Sequence, residues 1–352
     1  MTRAKNVHPA SARSLHAAAA RLRRGELVAF PTETVYGLGA NALDAKAVAK
    51  IFAAKGRPED NPIIVHVSDR KMLRKVARPL PALAKKLAAR FWPGPLTIIL
   101  SKKSSVPSLV TAGLSTVAVR MPEGIARDLV AAAGVPIAAP SANLSGRPSP
   151  TTAAHVAEDF PDVFVLDGGS TKHGVESTVV ALDPPTILRQ GALSEDFLRK
   201  MVPGLRRAAS SGRLAPGSGA FSSKVNERRN AGATGARGPR DRASDPAASP
   251  GTKYTHYAPT RPLTLFLSRK EMLAYASSHP NALVLCPASL SSLFPKQRTL
   301  VLGDTPEEIA HGLFAALRTR RRGSELLVLA VPRRGLGRTI MDRLERAATR
   351  IV

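Results

Sequence analysis

The chain has 352 residues, with 52 Lys+Arg against 26 Asp+Glu and one cysteine. At roughly 100–200 residues per domain, this length predicts two domains, each able to bury a core. The lone Cys286 excludes an internal disulfide, no Cys/His spacing suits zinc, and no run approaches the ~20 apolar residues of a membrane helix. A reducing, cytoplasmic setting without membrane contact is therefore expected. Cys286 itself sits in the apolar run 282–286 and reads as an inert core residue. The formal charge of +26 is spread along the chain, with 27 basic and 16 acidic residues up to position 200 (+11) and 25 and 10 beyond it (+15). Such an excess suits polyanionic partners, nucleotide or RNA. Drift toward arginine in an Ala/Arg-rich chain explains it equally well.

The segment before Glu26 carries five arginines and no acid, faintly like a transit peptide. Positions 11–24 nevertheless read as a helix leading straight into a strand, which favours the cytoplasm. Short β-rich runs then alternate with helical patterns, as in a mixed α/β domain. Positions 27–30, 63–67, 96–100, 117–120, 137–139, 164–166 and 178–181 read as strands. Asp44 caps a helix that runs to Lys55 and stops at Gly56, with Pro58 beyond. From about 205 to 250 the composition turns to Gly, Ser, Ala, Pro and Arg, which cannot pack a core and reads as a flexible linker. Strands at 263–267, 282–286 and 326–331, with helices near 269–277, 306–318 and the C-terminus, then predict a small α/β domain with a parallel sheet. The expected division is a catalytic domain at 9–204, a linker at 205–259 and a C-terminal domain at 260–352.

The strongest local signal is Phe30-Pro31-Thr32-Glu33-Thr34-Val35-Tyr36-Gly37-Leu38-Gly39, followed from Lys55 by Lys-Gly-Arg-Pro-Glu-Asp-Asn-Pro. Hydroxyls, a Gly-rich turn and the Lys55/Arg57 pair converge on one strand end and one helix end. Alone, Lys55 and Arg57 could merely complement a helix dipole, worth ~0.3–1 kcal/mol. Period-two alternation, however, puts His66 with Ile64 on one face of its strand, and Arg120 with Ala118 on one face of another. Either residue alone could be a satisfied core histidine or a solvated arginine. Together they predict a polar, electropositive cleft on one sheet face. Ser141 and Asn143 follow a buried strand at its carboxyl end, where open α/β sheets place ligands. Thr151 could serve only as a helix N-cap. In Gly174-Val175-Glu176-Ser177-Thr178, Ser177 opens a strand, and Arg189 ends a later one. Glu33 is expected to solvate its loop rather than to orient Thr32 or a water.

These four segments are similar, in order and spacing, to the motifs of YrdC-like threonylcarbamoyl-adenylate synthases, over about residues 9–200. A fifth, Ser249-Pro250-Gly251-Thr252-Lys253-Tyr254-Thr255-His256-Tyr257-Ala258-Pro259, resembles the linker signature of the family's two-domain branch, and positions 249–259 would act as a lid. The resemblance implies an α/β fold, with a twisted mixed sheet flanked by helices, a concave basic face, and a small Rossmann-like C-terminal domain. It also implies that Thr34, His66, Arg120, Ser141 and Ser177 hold L-threonine. Lys55, Arg57, Asn61, Thr116, Asn143, Thr151, Arg189 and Tyr254 would face ATP, with Lys55 and Arg57 carrying the catalytic charge. The implied reaction joins threonine, bicarbonate or CO₂ and ATP, with Mg²⁺ on the triphosphate, into threonylcarbamoyl-AMP and pyrophosphate. A tRNA threonylcarbamoyl transferase would consume the product, and RNA contact would use the basic surface. The rival reading is a double-stranded RNA or tRNA binding module without catalysis, which explains the charge but not the uncharged Thr34, His66, Ser141 and Ser177.

Overall fold

A computed structural model describes residues 4–208 and 257–352. Most of the expected linker, including Tyr254, lies outside these described residues, as does the lid-like motif up to position 256.

Eleven strands form the large sheet: β1 (Val7–Pro9), β2 (Val28–Phe30), β3 (Gly37–Asn41), β4 (Val65–His66), β5 (Leu96–Ser101), β6 (Thr116–Arg120), β7 (Ile137–Ala138), β8 (Phe164–Asp167), β9 (Thr178–Leu182), β10 (Pro185–Arg189) and β11 (Arg206–Arg207). Their order is β1-β8-β2-β3-β7-β4-β6-β5-β9-β10-β11, with parallel and antiparallel pairs mixed. The pairing of β1 and β11 carries this sheet a little beyond both ends of the expected 9–204 unit. Ser11 opens the first helix (Ala12–Arg23) through a capping box with Ser14. Asp44 caps the helix Ala45–Lys55 by accepting from the N–H groups of Lys46 and Ala47, and Gly56 ends it in the left-handed region, as the sequence predicts.

Besides short strands that the sequence did not announce (β1, β11 and, in the second region, 299–301 and 350–351), two segments take a form other than the expected one. The run at 63–67 is strand only at Val65–His66, because Ile63 is instead tied by its N–H to the carbonyl of Val110. The Gly-rich segment expected as a turn is strand β3. A Cβ on Gly39 would lie 2.6 Å from Phe30 and 2.8 Å from Ile137, so glycine is the residue that lets β2, β3 and β7 pack here. Turn-like composition therefore concealed a strand.

The second sheet has five strands, β12 (Leu263–Phe266), β13 (Leu283–Cys286), β14 (Thr299–Val301), β15 (Leu326–Leu329) and β16 (Arg350–Ile351), in the order β14-β13-β15-β12-β16. Every pair is parallel, as expected from alternating strands and helices. Cys286 is fully buried in its core. Among the described residues no helix is long and apolar enough to cross a membrane.

The two sheets share a packed seam. Val35 and Val175 from the first region join the apolar cluster of Leu313, Phe314 and Ile340 from the second. At Gly174, with φ +70, a Cβ would approach the backbone of Ala310 and His311 within 2.5 Å. The seam thus depends on close backbone contact beside the fourth motif.

Candidate active site

Strand register assembles the site. His66 on β4 is the register partner of Arg120 on β6, and Arg120 is in turn the partner of Thr97 on β5. Three polar side chains therefore stand in one row on one sheet face. Thr97 extends the row to Ser177, at 2.7 Å between hydroxyls, just before β9. Over this face lies a concave cleft, partly open to solvent. Thr34, Lys55, Arg57, His66, Arg120, Ser141, Asn143, Ser177 and Arg189 all line it. Four motifs, separated by up to 155 positions in the chain, thus face one space.

Arg120 is 3% exposed. Its Nη1 donates to Thr34 Oγ1 at 2.8 Å and its Nε to the Gly94 carbonyl at 3.2 Å. Nη2 lies 2.7 Å from Glu33 Oε1, both side chains being 4% exposed. That contact is an ion pair without in-line hydrogen-bond geometry. The expectation that Glu33 solvates its loop is therefore wrong. Glu33 is buried beside Arg120 and also accepts from the Glu123 N–H, and burying a carboxylate is costly unless it is paired in this way. A guanidinium has five donors, so Arg120 keeps N–H groups for a ligand while Glu33 and Thr34 fix its plane.

His66 is equally enclosed, and no described group satisfies its Nδ1. Burial, with the Arg120 charge beside it, pushes its pKa down to about 3, so the ring is neutral near pH 7. Phe30 packs edge-on against it.

Lys55 does not cap its own helix, as the simpler reading of the sequence allowed. Its ammonium donates to the carbonyls of Ser141, at 2.6 Å, and Asn143, cross-linking the end of one motif to the loop of another. Burial holds it well below the usual lysine range, and Arg57 and Arg318 add repulsion that Asp159 partly opposes. Arg57 is half-buried and donates to the carbonyls of Asn61 and Pro62. Ser141 Oγ donates to Asn143 Oδ1 at 2.5 Å, while Asn143 Nδ2 holds the Leu144 and Arg147 carbonyls. Arg189 donates to both the carbonyl and the hydroxyl of Ser177.

Three of the expected contact residues are not on the wall of the main cleft. Asn61 is buried beside Arg57 but is not on the wall of the cleft. Thr116 lines a neighbouring indentation with Ile99, Thr111 and Leu114, which meets the main cleft at Pro62 and Ile63. Thr151 is buried behind the wall, and the N-cap of the helix Ala153–Asp159 is Thr152.

Tyr257 is the aromatic of the fifth motif that the structure places on the wall. It adopts φ 71, stacks on Phe314 at 5.2 Å and lies under the guanidinium of Arg343. Glu176 also lines the cleft and accepts from Ser149 at 2.7 Å and from Arg343 at 3.0 Å. Burial alone would raise its pKa, but Arg343, Arg189 and Ser149 outweigh that and hold it at about 2. Glu176 and Tyr257 stand inside motifs visible in the sequence, but Arg343 lies in none, and only the tertiary packing identifies it.

An α/β protein with a lysine, arginines, amides and hydroxyls converging on one open sheet face defines a binder of a small, charged ligand. Residues 20–191 match the family model described as "Telomere recombination", and residues 222–349 match that of the threonylcarbamoyl-AMP synthase C-terminal domain. The threonylcarbamoyl-AMP synthase of Pyrococcus abyssi is 43% identical over 346 residues, covering 94% of this chain and 93% of the relative. That of Bacillus subtilis is 41% identical, covering 94% and 92%. A crystal structure of P. abyssi Sua5 complexed with L-threonine superposes with a TM-score of 0.83 at 40% identity, covering 98% of each chain. The chain belongs to the threonylcarbamoyl-AMP synthase family, in its two-domain form.

Proposed function

We infer that the cleft joins L-threonine, bicarbonate or CO₂ and ATP into threonylcarbamoyl-AMP and pyrophosphate, for tRNA threonylcarbamoyladenosine modification. The observation that carries this reading is that Arg120, its plane fixed by Glu33, Thr34 and Gly94, stands on one wall of the cleft with His66, whose buried Nδ1 has no hydrogen-bond partner among the described residues. A buried polar atom without a partner calls for an explanation, and beside a guanidinium on a cleft wall a polar ligand supplies one.

Threonine's carboxylate pairs with the N–H groups that Arg120 retains, because guanidinium and carboxylate match as planar forks. Neutral His66 and the hydroxyls of Thr34, Ser141 and Ser177 orient the amine and side chain. The amine adds to the carbon of bicarbonate with loss of water. A carbamate oxygen then forms a bond to the α-phosphorus as the bond to the bridging oxygen breaks, and pyrophosphate leaves with that electron pair. No protein nucleophile is required. Aligning three reactants contributes roughly 7–11 kcal/mol where the geometry is good. Lys55, Arg57 and Arg189 stabilise charge developing on the phosphates, with Asn143 beside them. Asn61, Thr116 and Thr151 act on the nucleotide from outside the wall. Mg²⁺ enters as part of the substrate, on oxygens of the triphosphate. The concave face is basic for this anionic cargo and the second domain is Rossmann-like in its all-parallel sheet; Tyr254 and the lid role of 249–259 rest on the sequence resemblance alone. The labile product passes to a tRNA threonylcarbamoyl transferase.

Incubation with ATP, threonine and bicarbonate, followed by mass identification of the product, tests the proposal. Pyrophosphate release requiring both threonine and bicarbonate is expected. Turnover indifferent to threonine, or RNA binding without turnover, overturns it.

A further inference from the structure

Arg343 is the largest fully buried side chain in the described structure, yet it belongs to the second domain and does not line the cleft. It projects from the helix Gly337–Ala347 across the seam. Its Nε donates to Glu176 Oε2 at 3.0 Å and its Nη2 to the Gln190 carbonyl at 2.7 Å, while Nη1 contacts Asp342 on its own helix. Its guanidinium lies 5.2 Å from the centre of the Tyr257 ring. These partners sit on or beside one wall. Glu176 and Tyr257 are part of it, Ser177 follows Glu176, and Gln190 follows Arg189, which holds Ser177.

We propose that Arg343 is a positioning residue through which the second domain completes the active site, by neutralising Glu176 and fixing the turn that presents Ser177 and Arg189.

Two physical arguments support this. Burying a charge pair is a poor way to glue two surfaces, because desolvation commonly offsets the attraction and apolar packing serves as well. The seam already has such packing. Moreover, Glu176 faces the cleft, where an anionic ligand would meet an uncompensated carboxylate if Arg343 were absent. Arg189 alone would then have to balance both the carboxylate and the ligand. The fixed fork of Arg343 neutralises the carboxylate from behind. The proposal rests on the reading of this cleft as the site for ATP and threonine.

The test uses the full chain with Arg343→Met, Glu176→Gln/Arg343→Met, Thr339→Val and Ser177→Ala, assayed for threonine-dependent pyrophosphate release below the melting temperature of each. Arg343→Met should raise the KM for ATP tenfold or more. The double variant carries no charge at either position and should return that KM to within about threefold of the parent. Thr339→Val removes a hydrogen bond across the same seam, 2.9 Å to the Gly191 carbonyl, without exposing a charge. Because that carbonyl belongs to the same turn but no charge is exposed, this substitution should lower Tm and raise the KM for ATP by less than threefold, well short of Arg343→Met. Should Arg343→Met be too unstable to assay, Arg343→Lys keeps the charge but loses the fork, and a threefold rise in the same KM is expected. Unchanged KM values in these Arg343 variants, or a double variant as impaired as the single one, overturn the proposal if Ser177→Ala raises the KM for threonine. If Ser177→Ala is also silent, the reading of the cleft falls with it.

Discussion

The two sheets bury different chemistry. Across β4, β5 and β6 the large sheet encloses His66, Thr97 and Arg120, with Glu33 and Lys55 buried close by. In the small sheet β12, β13 and β15 are buried almost throughout with apolar residues, Thr264 excepted. A sheet buried on both faces by helices reads as apolar runs, and the second sheet obeys that rule while the first breaks it along one row. Rule-breaking at a site is the ordinary mark of function, since buried charge costs stability that packing elsewhere must offset. The fully buried arginine of the second domain points away from its own sheet to Glu176 in the first. On the proposed reading, the apolar domain acts as the scaffold and the polar one as the site.

The largest effect should come from splitting the Arg120–Glu33 pair. Arg120→Met leaves a buried carboxylate without its cation, which typically costs about 3–5 kcal/mol, and removes the proposed threonine fork. Chemical denaturation should show that loss, and threonine-dependent turnover should fall to background. Adding Glu33→Gln should recover much of the stability and none of the turnover. Recovery of both would make Arg120 a purely structural residue. A smaller but still large effect is expected at Lys55. Lys55→Met leaves the Ser141 and Asn143 carbonyls without their shared donor, at about 1–3 kcal/mol for each group that stays unsatisfied. Because both residues line the cleft, the KM values for ATP and threonine should rise together. A rise in neither would confine Lys55 to holding the loop.

How much of this was legible in the sequence depended on range. Asp44 and Gly56 act within one helix, so their roles could be read from neighbours a few positions away. The alternation that placed His66 and Arg120 on matching faces was also local, and β-register completed it. Glu33 was misread because its partner lies 87 positions further on and nothing near it signals burial. Gly37 and Gly39 resemble turn residues, and only the facing Phe30 and Ile137 explain why the strand needs Gly39. Arg343 was out of reach for the same reason, since its partners belong to the other domain.

The pH dependence separates the two regions further. His66 and His155, both in the first region, have pKa values near 3 and near 4 in the folded protein, mainly through burial, against about 6.5 in an unfolded chain. Below pH 6.5 the unfolded state therefore binds protons that the folded state refuses. This contribution is fully present above pH 6.5, and it is lost as pH falls through the folded values. Each histidine should contribute a slope of about 1.4 kcal/mol per pH unit in between. Glu176, held at about 2, adds its own loss only below about pH 4.5. Urea unfolding at pH 6.0 and 4.5 should show a shallower slope for His66→Gln than for the parent. Parallel slopes would mean that His66 is protonated in the folded protein.

The smallest effect on activity should come from the second core. Cys286 is fully enclosed there, and burial, with Asp304 nearby, raises its thiol to about 11. At pH 8 such a thiol holds on the order of 100-fold less thiolate than an ordinary one near 8.5, and its burial blocks a reagent as well. Labelling by a disulfide reagent should therefore be slow and should report opening of the second domain. Cys286→Ala should leave turnover unchanged, because nothing of this side chain reaches the cleft. The informative combination is the labelling rate of Cys286 in the Arg343→Met background. If the second domain is a scaffold whose apolar core stands apart from the charged seam, the rate should change less than threefold while the KM for ATP rises. Labelling that accelerates in step with the lost activity would show that Arg343 sustains the fold of its own domain, and the division into scaffold and site would then have to be given up.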